Sequence, residues 1–320
     1  MWLRLFAVAV VVVASQVASW AQEWPSRPIH VVIPFGAGSA TDIVPRIVFE
    51  QLTLQLGQPL IVENRLGAGG TIATGAVAKA DPDGYTLLST SNAHTIAPSM
   101  YSNLSYDASA DFAAVIPFGT VPNVLIISPS KGIKTIQELV ATAKAKPGVF
   151  NYGSVGVGSA THLSVERFRL SAGIDLVHIP FKGGPEALTE VMAGRVELYF
   201  CPINTALPYI RDGRVIPLAV NSFTRAAALP DVPTTLEAGY HDAELPIWLG
   251  MLAPAKTPRT IIDKLSRETA RALQIPATKD KLVQNGVEPM VMTPAEFDAR
   301  VKADIASNGA LAKAAGIKSN

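Results

Sequence analysis

Cysteine is nearly missing from this chain: Cys201 stands alone among 320 residues. One thiol closes no intramolecular disulfide and builds no cysteine-based zinc site, so redox chemistry and structural zinc lose their usual basis. Charge is scarce as well. Only 17% of residues are charged, and 27 Lys+Arg against 26 Asp+Glu give a formal net charge of +1. That balance supplies no field for a polyanion, so neither nucleic acid nor an anionic membrane surface is expected as a partner. The five histidines, His30, His94, His162, His178 and His241, include no i,i+4 pair and no His-Glu-x-x-His, and no metal or cofactor is expected. A Gly-x-Ser-x-Gly elbow is lacking too, because Ala37, Tyr152 and Val157 stand two residues before Ser39, Ser154 and Ser159. Nothing organises a nucleophile, a base and an oxyanion site together, and the chain is not expected to be an enzyme.

What the chain does have is apolar content, 48% of residues, and a length at which one hydrophobic core gives way to two. Residues 1–21 read as a leader: Arg4, an apolar run from Leu5 to Ala14, and a small-residue exit at Ser19-Trp20-Ala21. The run is too short to span a bilayer but suits a secretory signal cleaved after Ala21. The remainder, with 26 residues of each sign once Arg4 is removed, is expected to be exported and soluble.

Short β-branched runs then alternate with helical patterns, the signature of α/β layers with parallel strands. Ile29 to Pro34 enters the turn Gly36-Ala37-Gly38-Ser39-Ala40-Thr41, followed by a helix ending at Gly57. A strand near Val149 to Tyr152 enters Gly156-Val157-Gly158-Ser159-Ala160-Thr161, followed by a helix ending near Gly173. The two turns differ only at their second position. Each is followed, one helix and one strand later, by a second glycine turn: Gly67 to Gly70 in the first half, Gly183-Gly184-Pro185 in the second. Two similarly built lobes are expected, each presenting glycine-rich strand-to-helix turns at the carboxyl ends of its strands, where open α/β sheets bind ligands.

Such turns leave backbone N–H groups unpaired, with the positive end of a helix dipole behind them. Ser39, Thr41, Ser159 and Thr161 add hydroxyls, and two facing turns would hold an anion or both ends of a dianion. Asp42 and His162 occupy equivalent places: Asp42 suits a helix cap or a ligand contact, His162 a structural hydrogen bond or a ligand contact. Lys182 is the one cation in a glycine turn and reads as a surface lysine. A dinucleotide-binding domain is the strongest enzyme alternative, with Gly36-x-Gly38 after a strand and Glu63 ending the next. Thr41 stands where its third glycine should be, and the motif occurs twice.

The ordered motifs Trp24-Pro25-Ser26-Arg27-Pro28, Pro34-Phe35-(x)2-Gly38-(x)3-Asp42, Val62-Glu63-Asn64-Arg65-(x)-Gly67-Ala68-Gly69-Gly70, Pro82-Asp83-Gly84-Tyr85, Leu229-Pro230-Asp231-Val232-Pro233 and Ala253-Pro254-Ala255-Lys256-Thr257-Pro258 resemble the Bug family. These are the substrate-binding proteins of tripartite tricarboxylate transporters in Gram-negative bacteria. The resemblance implies a two-lobed periplasmic-binding-protein fold of the Venus-flytrap, type II-like kind, with two crossover strands. It implies a monomer in the periplasm that holds a small carboxylate and delivers it to a two-subunit membrane permease. Lobe one would comprise 22–122 and 247–320, lobe two 123–246, with the crossing strands near Asn123 to Ser128 and Ile247 to Leu252. The binding residues it implies are Phe35, Gly38, Ser39, Ala40, Thr41, Asp42, Ser91 and Asn92 in lobe one. In lobe two they are Ser154, Gly158, Ser159, Ala160, Thr161, His162, Gly183, Gly184 and Cys201. The chain departs from the family pattern where Ser39 replaces the second glycine of a pair, and at Cys201, where many members carry an acid. A ligand-sensing partner of a two-component receptor is the alternative to transport.

Overall fold

The computed structural model describes residues 24–317; the expected leader lies outside them. Strand β1 (Ile29–Ile33) buries Ile29, Val31, Val32 and Ile33, the near-continuous apolar run of a parallel strand covered on both faces. It pairs in parallel with β2 (Leu60–Asn64) and β3 (Thr86–Ser91). Between them run α1 (Ala40–Leu56) and α2 (Thr71–Ala78). Helix α1 buries Val44, Val48, Phe49 and Leu52, one face of a 3.6-residue period. It stops at Gly57, whose φ of 67° and N–H bond to Thr53 O form the left-handed terminus that glycine favours. After α3 (Ala93–Met100), the antiparallel strands β4 (Phe112–Val121) and, much later in the chain, β10 (Ile247–Pro254) with the short β11 (Glu288–Pro289) complete a six-stranded sheet, β11-β4-β10-β3-β1-β2.

The second sheet repeats the plan. Strands β5 (Asn123–Ile127), β6 (Asn151–Ser154), β7 (Val177–Pro180), β8 (Leu198–Pro202) and β9 (Ile216–Val220) are ordered β7-β6-β8-β5-β9. Here β6 takes the place of β1, with parallel partners β7 and β8, and β5 takes the place of β10 as the first antiparallel neighbour. Helices α4 (Ile136–Ala145), α5 (Ala160–Ala172), α6 (Gly184–Met192) and α7 (Ile203–Arg211) connect these strands. The chain closes with α8 (Arg259–Gln274), α9 (Pro276–Gln284) and α10 (Pro294–Ala314). Helix α8 packs on β4 and α1, and α10 on β4 and α3.

The two apolar runs expected to cross between lobes are instead whole strands of one sheet each: β5 lies in the second, β10 in the first. The passages fall at Pro122, between β4 and β5, and in residues 221–246, between β9 and β10. Apolar runs report burial, which a central strand needs as much as a crossing does. Buried amides tie the passages together. Asn123 N donates to Asn221 Oδ1 (2.8 Å), Asn221 N to Asn123 O (2.9 Å) and Asn221 Nδ2 to Leu245 O (2.9 Å).

Candidate ligand-binding site

The turns after β1 and β6 have the same internal wiring. Ser39 Oγ donates to Gly36 O and Ser159 Oγ to Gly156 O, both at 2.7 Å. The Ser39–Thr41 hydroxyl pair is 3.2 Å apart and the Ser159–Thr161 pair 3.1 Å. Gly38 and Gly158 have φ of 80° and 76°, the left-handed region that glycine enters without steric cost. As the first two residues of α1 and of α5, Ala40, Thr41, Ala160 and Thr161 have amides with no intrahelical acceptor.

The glycine amides are a different matter, because each turn consumes its own. Gly38 N donates to Asp42 Oδ2 at 2.9 Å, and Gly158 N donates to His162 Nδ1 at 3.1 Å. Asp42 also accepts from Arg46 Nε (2.8 Å) and Asn64 Nδ2 (2.9 Å), and Asn64 Nδ2 holds Phe35 O at 2.8 Å. Burial alone would raise the Asp42 pKa; the hydrogen bonds from Asn64, Gly38 and Arg46 outweigh it and hold the carboxyl below its ordinary range. On the other side the His162 ring stacks on His178, centroids 4.0 Å apart, and His178 Nε2 stands 2.6 Å from Ser154 Oγ. Burial, followed by the neighbouring His178 and Arg169, pushes His162 down to about 3. The imidazole is therefore neutral and keeps a lone pair for Gly158.

Both serine-bearing turns lie on the wall of one cavity of about 440 Å³. Phe35, Gly38, Ser39, Ala40 and Thr41 reach it from α1's side, with Ser91 from the end of β3. From the second sheet come Gly158, Ser159, Ala160, Thr161, Gly183 and Gly184. Val155, Val157, Tyr101, Ile247 and Leu249 make much of the remaining wall apolar, and Lys182 is its one charged side chain among the described residues. Met100 on α3 touches the Gly158 position, so the two halves meet at the turn itself.

Five expected contacts are off this wall. Asp42 and His162 face their own turns for the reason just given. Ser154, fully buried, accepts from Gly156 N (3.1 Å) and meets His178. Asn92 is buried at the start of α3, where its carbonyl accepts from Thr95 and Ile96. Cys201 is fully buried in the apolar core, and burial pushes its thiol far above the ordinary range, so it is un-ionised. Conversely, Tyr101, Tyr199 and Lys182 line the cavity although the sequence does not single out the tyrosines and assigns the lysine to the surface. A signal for Tyr199 existed: on a strand it shares a face with Cys201, two residues on.

A two-sheet α/β chain with a polar-turned cavity between its halves is the architecture of a solute-binding protein, and its solved neighbours are of that class. The structure of R. palustris Rpa4515 with adipate superimposes with a TM-score of 0.86 at 32% identity, covering 93% of this chain and 100% of the other. MatC from Rhodopseudomonas palustris with bound malate gives 0.80 at 30% identity, covering 90% and 99%. Protein BugT of Bordetella pertussis is 36% identical over 276 residues, 86% of this chain and 85% of BugT. Residues 44–317 match the tripartite tricarboxylate transporter family receptor model, and the chain belongs to that family. It is a receptor family of periplasmic binding proteins, not of enzymes. Among the described residues no helix is long and apolar enough to cross a membrane.

Proposed function

We propose that the chain is an exported receptor that captures a small organic carboxylate between its lobes and delivers it to a two-subunit permease. The ligand's acid group is held by the free amides at the starts of α1 and α5, with the hydroxyls of Thr41 and Thr161 beside them, while Ser39 and Ser159 shape the turns by donating to Gly36 O and Gly156 O. The observation that carries this reading is that both helix N-termini border one cavity whose wall, among the described residues, bears a lysine and no carboxylate. Helix N-termini attract anions, and an anion entering this cavity meets no like charge on its wall. The apolar wall between the turns suits a carbon skeleton.

The lobes, 22–122 with 247–320 and 123–246, close by a hinge at Pro122 and residues 221–246. A thermal-shift screen against adipate, malate, citrate, benzoate and aspartate tests the reading. A ligand that binds the folded chain raises its melting temperature by mass action. A rise with at least one carboxylate and none with uncharged analogues is expected; no rise with any acid would contradict it. Crosslinking to the membrane permease subunits, absent when ligand is withheld, tests the delivery step.

A further inference from the structure

Tyr199 lines the cavity without belonging to either duplicated turn. It is the second residue of β8, where side chains alternate. Leu198 and Phe200 join one apolar cluster, while Tyr199 and Cys201 face the other. Its residue surface is fully buried, yet its phenol proton has no acceptor within hydrogen-bonding geometry. The neighbouring Thr161 side chain hydrogen-bonds the phenol in the sense that lowers its pKa, so it reaches the phenol oxygen and does not take the phenol proton; Thr161 Oγ1 itself accepts from Val155 N at 3.1 Å and lies 3.1 Å from Ser159 Oγ. Gly184, across the turn, offers no side-chain acceptor. Burial, reinforced by Cys201, raises the phenol well above its ordinary range, so it carries its proton and is a donor. Buried hydroxyls are almost always satisfied in folded proteins, and an orphan is destabilising. An acceptor that arrives with the ligand resolves this.

We infer that the Tyr199 hydroxyl donates to an acid oxygen of the ligand held at the start of α5, making Tyr199 a determinant of carboxylate specificity. Thr161 connects the two: its amide is one of the free pair at that helix start, and its side chain adjoins the phenol. Phenol and amides are all donors, and a carboxylate, whose oxygens only accept, satisfies them together. A carboxamide or ammonium at the same place would set donor against donor. The inference rests on the carboxylate reading above, but can fail without it.

The test is Tyr199→Phe, with the tightest-binding acid of the screen as calorimetric probe. The ligand-free melting temperature is expected to stay level or rise, because the variant removes a buried hydroxyl whose proton has no acceptor, and only the Thr161 contact with it. Affinity for the acid is expected to fall about tenfold or more, the weight of a hydrogen bond to a charged group. Replacing Tyr199 by 3-fluorotyrosine, a more acidic donor of nearly the same shape, should tighten binding. Affinity within twofold of wild type in Y199F would overturn the assignment while leaving the carboxylate reading intact. A wild-type chain that binds no acid would overturn both. A purely structural role predicts the opposite pattern, a lower ligand-free melting temperature with unchanged affinity.

Discussion

Gly158, in the turn before α5, lies so close to Met100 at the end of α3 that a Cβ on the glycine would overlap the methionine side chain. This contact joins the serine-bearing turn of one sheet to a helix on the other, an approach that a side chain at residue 158 would obstruct. The equivalent Gly38 has nothing within 4 Å of its Cβ position. Both carry left-handed φ, so Gly38→Ala and Gly158→Ala should each lose about 1–2 kcal/mol to backbone strain. Only Gly158→Ala should also prevent close approach. Calorimetry is expected to give G158A at least tenfold weaker ligand binding than G38A, with part of the loss restored by adding Met100→Ala. Gly158→Glu, which adds bulk and a negative charge, should abolish binding in a folded protein.

Asp42 braces the turn before α1 by accepting from Gly38 N and Arg46 Nε. Asp42→Ala takes the acceptor from the Gly38 amide and Arg46 Nε and one of two from Asn64 Nδ2, and denaturant unfolding should show a loss of about 1–3 kcal/mol. Asp42→Asn keeps an acceptor oxygen for Gly38 but turns its amide nitrogen towards the Arg46 and Asn64 donors, and should recover only part of the stability and affinity. Equal affinity in D42A and wild type would mean that the turn needs no brace.

His162 makes stability depend on pH with a definite sign. Its folded pKa of about 3 lies below the ordinary histidine value of 6.5, so between these values the unfolded chain binds the extra proton and the folded chain does not. Stability rises with pH across that window: the contribution is present above about pH 6.5 and is lost as pH falls towards 3. His94, pushed down to about 4 by burial and only partly offset by its bond to Ala108 O, acts in the same direction. Melting temperatures from pH 7 to pH 4 are expected to fall, and His162→Asn should flatten the slope. A steeper slope in H162N would contradict the neutral-imidazole assignment.

Lys182 is exposed at the cavity, with its backbone N–H bonded to Glu186. If it meets a second acid group, Lys182→Met should weaken adipate by several-fold and leave a monocarboxylate of the same length nearly unchanged. Because the lysine is exposed, the difference should shrink at high salt. Equal losses for both ligands would assign Lys182 to general attraction.

The duplicated turns are legible from sequence because their shape demands particular residues: a left-handed position needs Gly38 or Gly158, and a helix start favours Ser39 or Ser159. The same logic places the helix ends at Gly57 and Gly173. What Asp42 and His162 face is not legible, since an acid or imidazole three residues into a helix can point outward or back. The backward bond to the glycine amide decides, and it exists only in three dimensions. Tyr199 hides in the apolar run Leu-Tyr-Phe-Cys-Pro, which reads as core throughout. The apolar runs of β5 and β10 adjoin the passages between sheets without locating them, because hydrophobicity marks a buried strand whether or not the chain changes sheet there.

The sharpest measurement is an amide-resolved NMR titration of the wild-type chain with its tightest acid. Joint capture predicts that the N–H signals of Ala40, Thr41, Ala160 and Thr161 shift together at one stoichiometry, while those of Gly38 and Gly158, already bonded to Asp42 and His162, move little. Shifts confined to one of the two helix starts, or centred on the glycine amides, would contradict it.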